Sequence, residues 1–464
     1  MNQLIPVVVI FLGLSYVPPA QGQQEHTRDP RDRAVTPQTA FDGPALEFDF
    51  PTLHIGVAEY AEGPTGATVF YFPKRIMAAV DVRGGAPGTL NTDGLRLGYE
   101  QSFVHAISFA GGSSYGLAVG PGVADEIKSR SADAGEWDNI AVVAGAIIFD
   151  LGGRRYTTVT PDYLLGRAAL SAARPGRFPL GPRGAGRFAM QGGYFGDPQH
   201  SGQGGAFRQV GPTKVAVFTV VNAAGSIVDR QGRVARCSRP VESGCHTIKD
   251  LLEEKTRTLL RDGASDGAPG GMGQTENTTL TLVVTNQQLP FWALQRLAVQ
   301  VHTSMARAIQ PFSTASDGDV LYAVTTGEIE NPDLSPRDLG MLASELAWDA
   351  VLASVPPVES RAETSPVDVD PETLAAYVGQ YEFAPQTWAT IRLDGGRLRI
   401  RTPERASLYL PAGETIDLIP LSPTEFELGT ERADWLRFER APDGRIVGLV
   451  INPGRWPIRA AKIR

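Results

Sequence analysis

The chain has 464 residues, which is enough for two or three domains that each bury a hydrophobic core without a metal or disulfide to hold it together. Its 43 lysine and arginine residues stand against 51 aspartate and glutamate residues, and the formal net charge of −8 argues against a nucleic-acid-binding protein. With 42% hydrophobic and 20% charged residues, the composition is that of an ordinary globular protein.

The amino-terminal segment has the pattern of an export signal. Residues 1–22 are apolar and end on Ala-Gln-Gly, a small-x-small sequence that signal peptidase cuts. We therefore predict a signal peptide over 1–22 and a periplasmic or secreted protein. Residues 23–45 are polar, charged and proline-bearing, which predicts a flexible arm. No later run of 18 apolar residues is present, so we expect no membrane insertion after processing.

The only two cysteines, Cys237 and Cys245, lie close together in a segment that contains proline and glycine. Their spacing matches neither a CxxC redox pair nor a zinc knuckle. In an oxidising compartment, this pattern predicts one local disulfide.

Composition divides the rest of the chain into two parts. Over residues 46–354, short β-branched runs alternate with longer helical patterns, which is typical of an α/β enzyme domain. Proline and acidic residues over 355–371 predict a linker. Residues 372–464 hold many short strand patterns, with turn signals at Asp394-Gly395 and Asp443-Gly444, and predict a small all-β domain built as a meander or barrel.

Residues 112–116 spell G-x-S-x-G between an apolar strand pattern and a helical one. This is the context of a nucleophile elbow, and Ser114 would then need a histidine and an acid, for which His302 and Asp229 are the candidates. The alternative is a glycine-rich turn from strand to helix that needs small residues for close backbone approach.

A glycine-rich stretch over 261–277 is followed at once by the strand pattern TTLTLVVTN, which begins at Thr278. Taken alone, two threonines that open a strand are explained by β propensity. If the backbone is cut between Asn277 and Thr278, however, the freed α-amino group of Thr278 can act as the base for its own hydroxyl, because its pKa is about 7.7–8.0.

Two further polar motifs allow more than one interpretation. Asp317 and Asp319 flank a glycine just before a strand pattern, so they either present two carboxylates to one ammonium or hydroxyl group or form an Asx turn. Asn222 lies at a strand end, where its amide either donates to a developing oxyanion or closes a turn.

Together, these motifs resemble the DmpA-like family of self-processing aminopeptidases, also called the L-aminopeptidase/D-esterase family. The resemblance covers most of residues 54–328. It is carried by VHAISFAGGSSYGLAVGPGV (104–123), IIFDLG (147–152), VVNAAGSIVD (220–229), NTTLTLVVTN (277–286) and ARAIQPFSTASDGDVLYAVTTG (306–327), and by the VDVRGGAPGT segment before them.

The resemblance implies an αββα sandwich of the DmpA/N-terminal-nucleophile type, with self-cleavage between Asn277 and Thr278 and Thr278 as the nucleophile. Asn222 would then help to hold the oxyanion, and Asp317 and Asp319 would orient the nucleophile and its amine. The substrate-binding wall would comprise Gly112, Ser113, Ser114 and Tyr115. The resemblance further implies a small peptide or amide substrate, no metal or cofactor, and a homo-oligomer of processed heterodimers.

One departure from the family pattern concerns a lysine. The family usually carries a Gly-Asn-Val-Gly-Ala-Gly run followed by a lysine close to the nucleophile, whereas this chain reads GPRGAGR from Gly181 to Arg187. Arginine supplies charge but cannot accept a proton, so proton handling or substrate choice is expected to differ. This leaves two alternatives to the peptidase: a serine esterase that uses Ser114, and a catalytically inactive scaffold or binding protein.

The carboxy-terminal residues 372–464 separately resemble the small β domain that follows exported serine β-lactamase-like hydrolases. The similarity lies in LAAYVGQYE (374–382), LDGGRLRI (393–400) and LRFERAPDGRIVGLVI (436–451). It implies an accessory domain that carries no catalytic residues.

Overall fold

The computed structural model describes residues 35–99, 102–151, 159–238, 244–262, 277–357, 365–385, 387–403, 412–430, 434–453 and 456–464. The predicted signal peptide, the first part of the predicted arm (23–34) and the middle of the predicted linker (358–364) lie outside the described residues. Within the described part of the chain, no helix is long and apolar enough to cross a membrane.

The described part of the predicted arm, residues 35–45, is paired with the first domain. The backbone N–H of Gln38 donates to the carbonyl of Glu59 at 2.8 Å, and the N–H of Glu59 donates back at 2.9 Å. Proline and charge in this segment indicated mobility, but the two backbone hydrogen bonds give its later part a fixed place.

Six α-helices are present in the described residues: α1 (Val119–Ser129), α2 (Tyr163–Ser171), α3 (Ile248–Asp262), α4 (Phe291–Ser304), α5 (Pro336–Ala353) and α6 (Pro371–Ala376).

In the part of the chain that the structure describes, sixteen strands precede the carboxy-terminal domain: β1 (Ala45–Glu47), β2 (His54–Tyr60), β3 (Thr65–Val82), β4 (Thr89–Leu90), β5 (Phe103–Ala110), β6 (Val143–Ile147), β7 (Arg174–Pro175), β8 (Arg177–Pro179), β9 (Met190–Gln191), β10 (Gln199–His200), β11 (Gln203–Val210), β12 (Thr213–Asn222), β13 (Ser226–Ile227), β14 (Thr278–Gln287), β15 (Ile309–Gln310) and β16 (Val320–Ile329).

The first domain is organised by one ten-stranded sheet in the order β11-β12-β14-β16-β3-β5-β6-β4, with β2 paired to β3 and β7 paired to β2. The 18-residue strand β3 joins two halves, since its first part pairs with β2 and β5 and its last part pairs with β16. Strand β14 is central, and all ten of its residues are buried. Its β-branched sequence suits a strand that is covered on both faces.

Three hydrophobic clusters surround this sheet. The largest is formed by strands of both halves and contains Phe70, Phe178 and Phe218, with the Phe178 and Phe218 ring centroids 4.9 Å apart. A second cluster joins β12, β14 and β16 to α4 and α5, and a third joins β2, β3, β5 and β6 to α1 and α2. The domain is therefore a mixed α/β fold. The predicted αββα sandwich stays a prediction, because the strands form one continuous sheet through β3.

Residues 379–462 form the predicted small all-β domain. Its eight strands close into a barrel in chain order: β17 (Gly379–Ala384), β18 (Thr387–Asp394), β19 (Arg397–Arg401), β20 (Thr415–Pro420), β21 (Glu425–Leu428), β22 (Trp435–Arg440), β23 (Ile446–Ile451) and β24 (Ile458–Lys462). Closure leaves no strand edge unpaired. Aromatic rings fill the interior, where Tyr377 stacks on Phe438 with the ring centroids 3.9 Å apart.

Cys237 and Cys245 form a disulfide, as predicted from their spacing and sequence context. Their Cα atoms lie 5.8 Å apart, within the range that a disulfide bridges without strain on the backbone.

Candidate active site

Parallel pairing of β14 with β16 brings together two motifs that lie forty residues apart in the sequence. Leu280 pairs with Val320, and Asn277, one residue before β14, pairs with Asp317, three residues before β16. Because both strands run in the same direction, their first residues lie at the same edge of the sheet. The Asn277-Thr278 peptide is therefore placed directly beside the Asp317-Gly318-Asp319 loop.

The carbonyl oxygen of Asn277 is held by two donors. The hydroxyl of Thr278 donates to it, and the backbone N–H of Gly318 donates to it at 3.1 Å. Asn277 and Thr278 are both buried, so the two contacts form away from bulk water. A backbone N–H aimed at a carbonyl oxygen in a buried site is positioned to stabilise negative charge that develops on that oxygen.

Gly318 can occupy this position only because it has no side chain. A Cβ atom there would lie 2.7 Å from the Thr278 hydroxyl oxygen and 2.7 Å from the Ala86 carbonyl oxygen. The opposite side of the loop is closed by Gly84, where an added Cβ would lie 2.1 Å from the Asp319 nitrogen. The sequence analysis considered only the two carboxylates of the Asp317-Gly318-Asp319 motif and missed Gly318, although the presence of a glycine between the two aspartates was the available signal.

The two aspartates are bound mainly by backbone donors. One oxygen of Asp319 accepts the Thr279 N–H at 2.6 Å, and the other accepts the N–H and hydroxyl of Ser313 at 2.9 and 3.0 Å. Asp317 accepts the N–H and hydroxyl of Thr314 at 2.9 and 2.7 Å, and the N–H of Ala224 at 3.3 Å. Both side chains are buried and shape the loop that presents Gly318.

Asp319 carries a strongly perturbed carboxyl group. Burial, with the added repulsion of the neighbouring Asp317 carboxylate, raises the pKa of Asp319 from its ordinary value of 3.8 to about 7, although the hydrogen bonds from Thr279 and Ser313 oppose this shift. A carboxyl group that titrates near neutral pH beside a nucleophile candidate is suited to proton transfer.

Asn222 is the residue of β12 that lies opposite Thr278 in the antiparallel pair of β12 with β14. It is fully buried. Its side-chain oxygen accepts the Met190 N–H at 3.1 Å, and its side-chain nitrogen donates to the Phe149 carbonyl at 3.1 Å. The structure thus places Asn222 next to the nucleophile candidate, with its amide orientation set by backbone partners.

The loop over residues 112–115 is linked to Asn222 through residues 148–151, which contact both. Gly112 and Ser113 both have positive φ angles, of 83° and 53°, and their backbone N–H groups donate to Asp150 and Ile148 at 2.7 and 3.2 Å. Between those two acceptors lies Phe149, whose carbonyl receives the Asn222 amide. Ser113 is buried, whereas Ser114 and Tyr115 are exposed.

The proposed partners of Ser114 are engaged elsewhere. His302 is buried in α4, with its Nδ1 atom 2.9 Å from the carboxylate of Asp81. Asp229 accepts the N–H groups of Gln231 and Arg233 at 2.9 and 2.8 Å, in a turn. Nothing in the described part of the chain joins these residues to Ser114, so the structure does not assemble the esterase triad.

Arg187, which stands near the position of the family lysine, forms a buried ion pair with Glu59. The Nε atom of Arg187 lies 3.2 Å from a Glu59 carboxylate oxygen. Its guanidinium group also donates to the Pro457 carbonyl, so the described contacts of Arg187 are with Glu59 and with the carboxy-terminal domain.

The model of peptidase family S58 matches residues 48–362. The chain belongs to peptidase family S58. A 6-aminohexanoate-oligomer endohydrolase of Paenarthrobacter ureafaciens is 42% identical to this chain over 323 residues. The alignment covers 66% of this chain and 85% of that protein. An uncharacterized aminopeptidase of Mycobacterium tuberculosis is 34% identical over 304 residues, covering 62% of this chain and 85% of that protein.

Among solved structures, the L-aminopeptidase D-Ala-esterase/amidase of Ochrobactrum anthropi aligns with a TM-score of 0.45 and 14% identity, over 68% of this chain and 88% of that one. Membership of family S58 and the curated relatives identify the chain as a peptidase or amidase-type hydrolase. The family match ends at residue 362, before the carboxy-terminal barrel begins.

The raised pKa of Asp319 predicts a specific pH dependence of stability. The folded state holds the Asp319 proton more tightly than the unfolded state does. We therefore expect the unfolding free energy of the parent to fall, relative to that of Asp319→Asn, as the pH rises from about 4 to about 7. The asparagine side chain has no proton to lose in this range. Urea unfolding at several pH values, with both proteins carrying Thr278→Ala to keep the chain intact, measures this difference. A difference in unfolding free energy that stays constant across this window would contradict the assignment.

The geometry at Gly318 predicts that Gly318→Ala slows cleavage of the Asn277–Thr278 bond by about 10²-fold, because the new Cβ displaces both the Thr278 hydroxyl and the N–H donor. Gel analysis of the fragments over time measures the rate. Gly135→Ala is the matched control, since an added Cβ there meets open space. Cleavage of folded Gly318→Ala at the parent rate would rule out this role.

Proposed function

We propose that the protein is an exported, self-processing amide hydrolase whose nucleophile is Thr278. The observation that carries this proposal is that the Asn277 carbonyl oxygen accepts hydrogen bonds from both the Thr278 hydroxyl and the Gly318 N–H. A reactive hydroxyl and an oxyanion donor are the two groups that acyl transfer at this carbonyl requires.

In the first step, the Thr278 hydroxyl oxygen attacks the Asn277 carbonyl carbon and the carbonyl oxygen takes up negative charge beside the Gly318 N–H. The C–N bond then breaks, the hydroxyl proton passes to the Thr278 nitrogen, and an ester joins Asn277 to Thr278. Water opens this ester, which leaves a carboxylate on Asn277 and a free α-amine on Thr278.

In turnover, the freed amine of Thr278 takes the proton from its own hydroxyl while that oxygen attacks the amide of a substrate. Asn222 lies opposite Thr278 and contributes its side-chain amide to the oxyanion site. Asp319, bound to the next residue through the Thr279 N–H, lies near enough to influence the charge of the new amine.

The substrate class we propose is small amides, namely short peptides and amino-acid amides from which the amino-terminal residue is released. The relative of Paenarthrobacter ureafaciens, named for endohydrolysis of 6-aminohexanoate oligomers, adds linear oligomers of ω-amino acids to this class. Export follows from the predicted signal peptide and is compatible with the disulfide.

Substitution at Thr278 in the full-length chain tests this function. We expect Thr278→Ala to remain a single uncut chain without amidase activity, and Thr278→Ser to cleave itself and turn over substrate because it keeps a hydroxyl. The matched control is Thr279→Val, which removes the neighbouring buried hydroxyl, for which the described residues supply no hydrogen-bond partner. The readouts are the fragment pattern and release of product from a panel of peptide, amide and 6-aminohexanoate-oligomer substrates.

Loss of activity in Thr279→Val but not in Thr278→Ala would contradict the assignment of the nucleophile. Ser114→Ala is included because the serine esterase predicts that this variant alone is inactive. We expect it to retain amidase activity, since Ser114 is exposed and its proposed histidine is paired with Asp81.

A further inference from the structure

The carboxy-terminal barrel contacts the family S58 domain at residues 187–200 and at Arg236. Two buried side chains of this segment, Phe188 and Met190, belong to the same hydrophobic cluster as the interior of the barrel. The other members of that cluster all come from residues 374–460. The barrel core is therefore completed by two side chains of the hydrolase domain, and separating the two parts would expose both.

Polar and aromatic contacts reinforce this junction at residues 456 and 457. The guanidinium group of Arg187 donates to the Pro457 carbonyl at 2.5 Å. The His200 ring stacks on Trp456 with the ring centroids 4.3 Å apart and the planes inclined by 18°. The guanidinium group of Arg236 also lies over the Trp456 ring, 5.8 Å from its centroid, and donates to the His200 carbonyl at 2.8 Å.

The same segment orients a residue of the candidate active site. The Met190 N–H donates to the side-chain oxygen of Asn222 at 3.1 Å. A side-chain amide has one acceptor side and one donor side, so fixing the oxygen also fixes the direction of the nitrogen. Asn222 is the residue paired opposite Thr278, and the position of Met190 therefore sets the orientation of an amide beside the nucleophile candidate.

We propose that the barrel is a positioning part of the active site: through Trp456 and Pro457 it holds residues 187–200 in place, and Met190 in turn fixes the Asn222 amide beside Thr278. This inference rests on the proposed function. Trp456 is a positioning residue, because it acts through His200 and the segment that follows Arg187. The family match ends before the barrel, so this role belongs to the extension of the chain.

The test uses the full-length chain with Trp456 replaced by Leu, which is apolar but smaller and cannot stack on His200, and by Phe, which is also smaller but keeps a flat ring. We expect Trp456→Leu to slow self-cleavage and to lower kcat for an amino-acid amide by about 10- to 100-fold with little change in KM, because misplacing a catalytic group affects the reacting geometry more than binding. Trp456→Phe restores both rates to within a few-fold of the parent.

Trp388→Ala is the matched control, since this tryptophan is an exposed residue of the same barrel. We expect it to have parent rates. The inference is overturned if folded Trp456→Leu cleaves itself and turns over substrate at the parent rates, or if only its KM rises. It is also overturned if the lost activity of Trp456→Leu follows a fall in Tm that Trp456→Phe shares. A parent protein that neither cleaves itself nor hydrolyses any amide would instead refute the proposed function.

Discussion

The pairing of β14 with β16 is the constraint on which the rest of the site depends. It places the peptide bond before Thr278 against the loop that precedes β16, so that one backbone N–H of that loop meets the Asn277 carbonyl. Neither strand can shift by one residue without turning its buried side chains to the opposite face of a sheet that is covered on both faces. The packing of the hydrophobic clusters thus fixes the register, and the register fixes the position of the carbonyl.

The contacts around that carbonyl explain why the motif contains small and acidic residues together. Gly318 lets the Thr278 hydroxyl approach closely, and the carboxylates on either side accept the N–H groups that shape the loop. Burial beside the Asp317 carboxylate disfavours the ionised form of Asp319, and the pKa of Asp319 is raised to about 7. The site therefore gains a group that titrates near neutral pH, at a cost in the stability of the folded chain.

Several features followed from the sequence because they depend on local chemistry. The strand over 278–287, the hairpin turn after Asp394 and the disulfide all lie where residue types and spacing indicated. The position of Gly318 beside the Asn277 carbonyl did not follow, since it arises from pairing between strands forty residues apart. The same holds for the pairing of His302 with Asp81, and for the contact between Trp456 and His200, which joins two domains.

The barrel and the candidate site are linked through Met190, whose N–H donates to the Asn222 side chain opposite Thr278. The measurement that tests this account most directly is amino-terminal sequencing of the fragments of the purified full-length protein, beside its Thr278→Ala variant. The account predicts a fragment of the parent that begins Thr-Thr-Leu-Thr, and no such fragment in the variant. A parent that stays uncut, or a variant that is cut at the same bond, would contradict it.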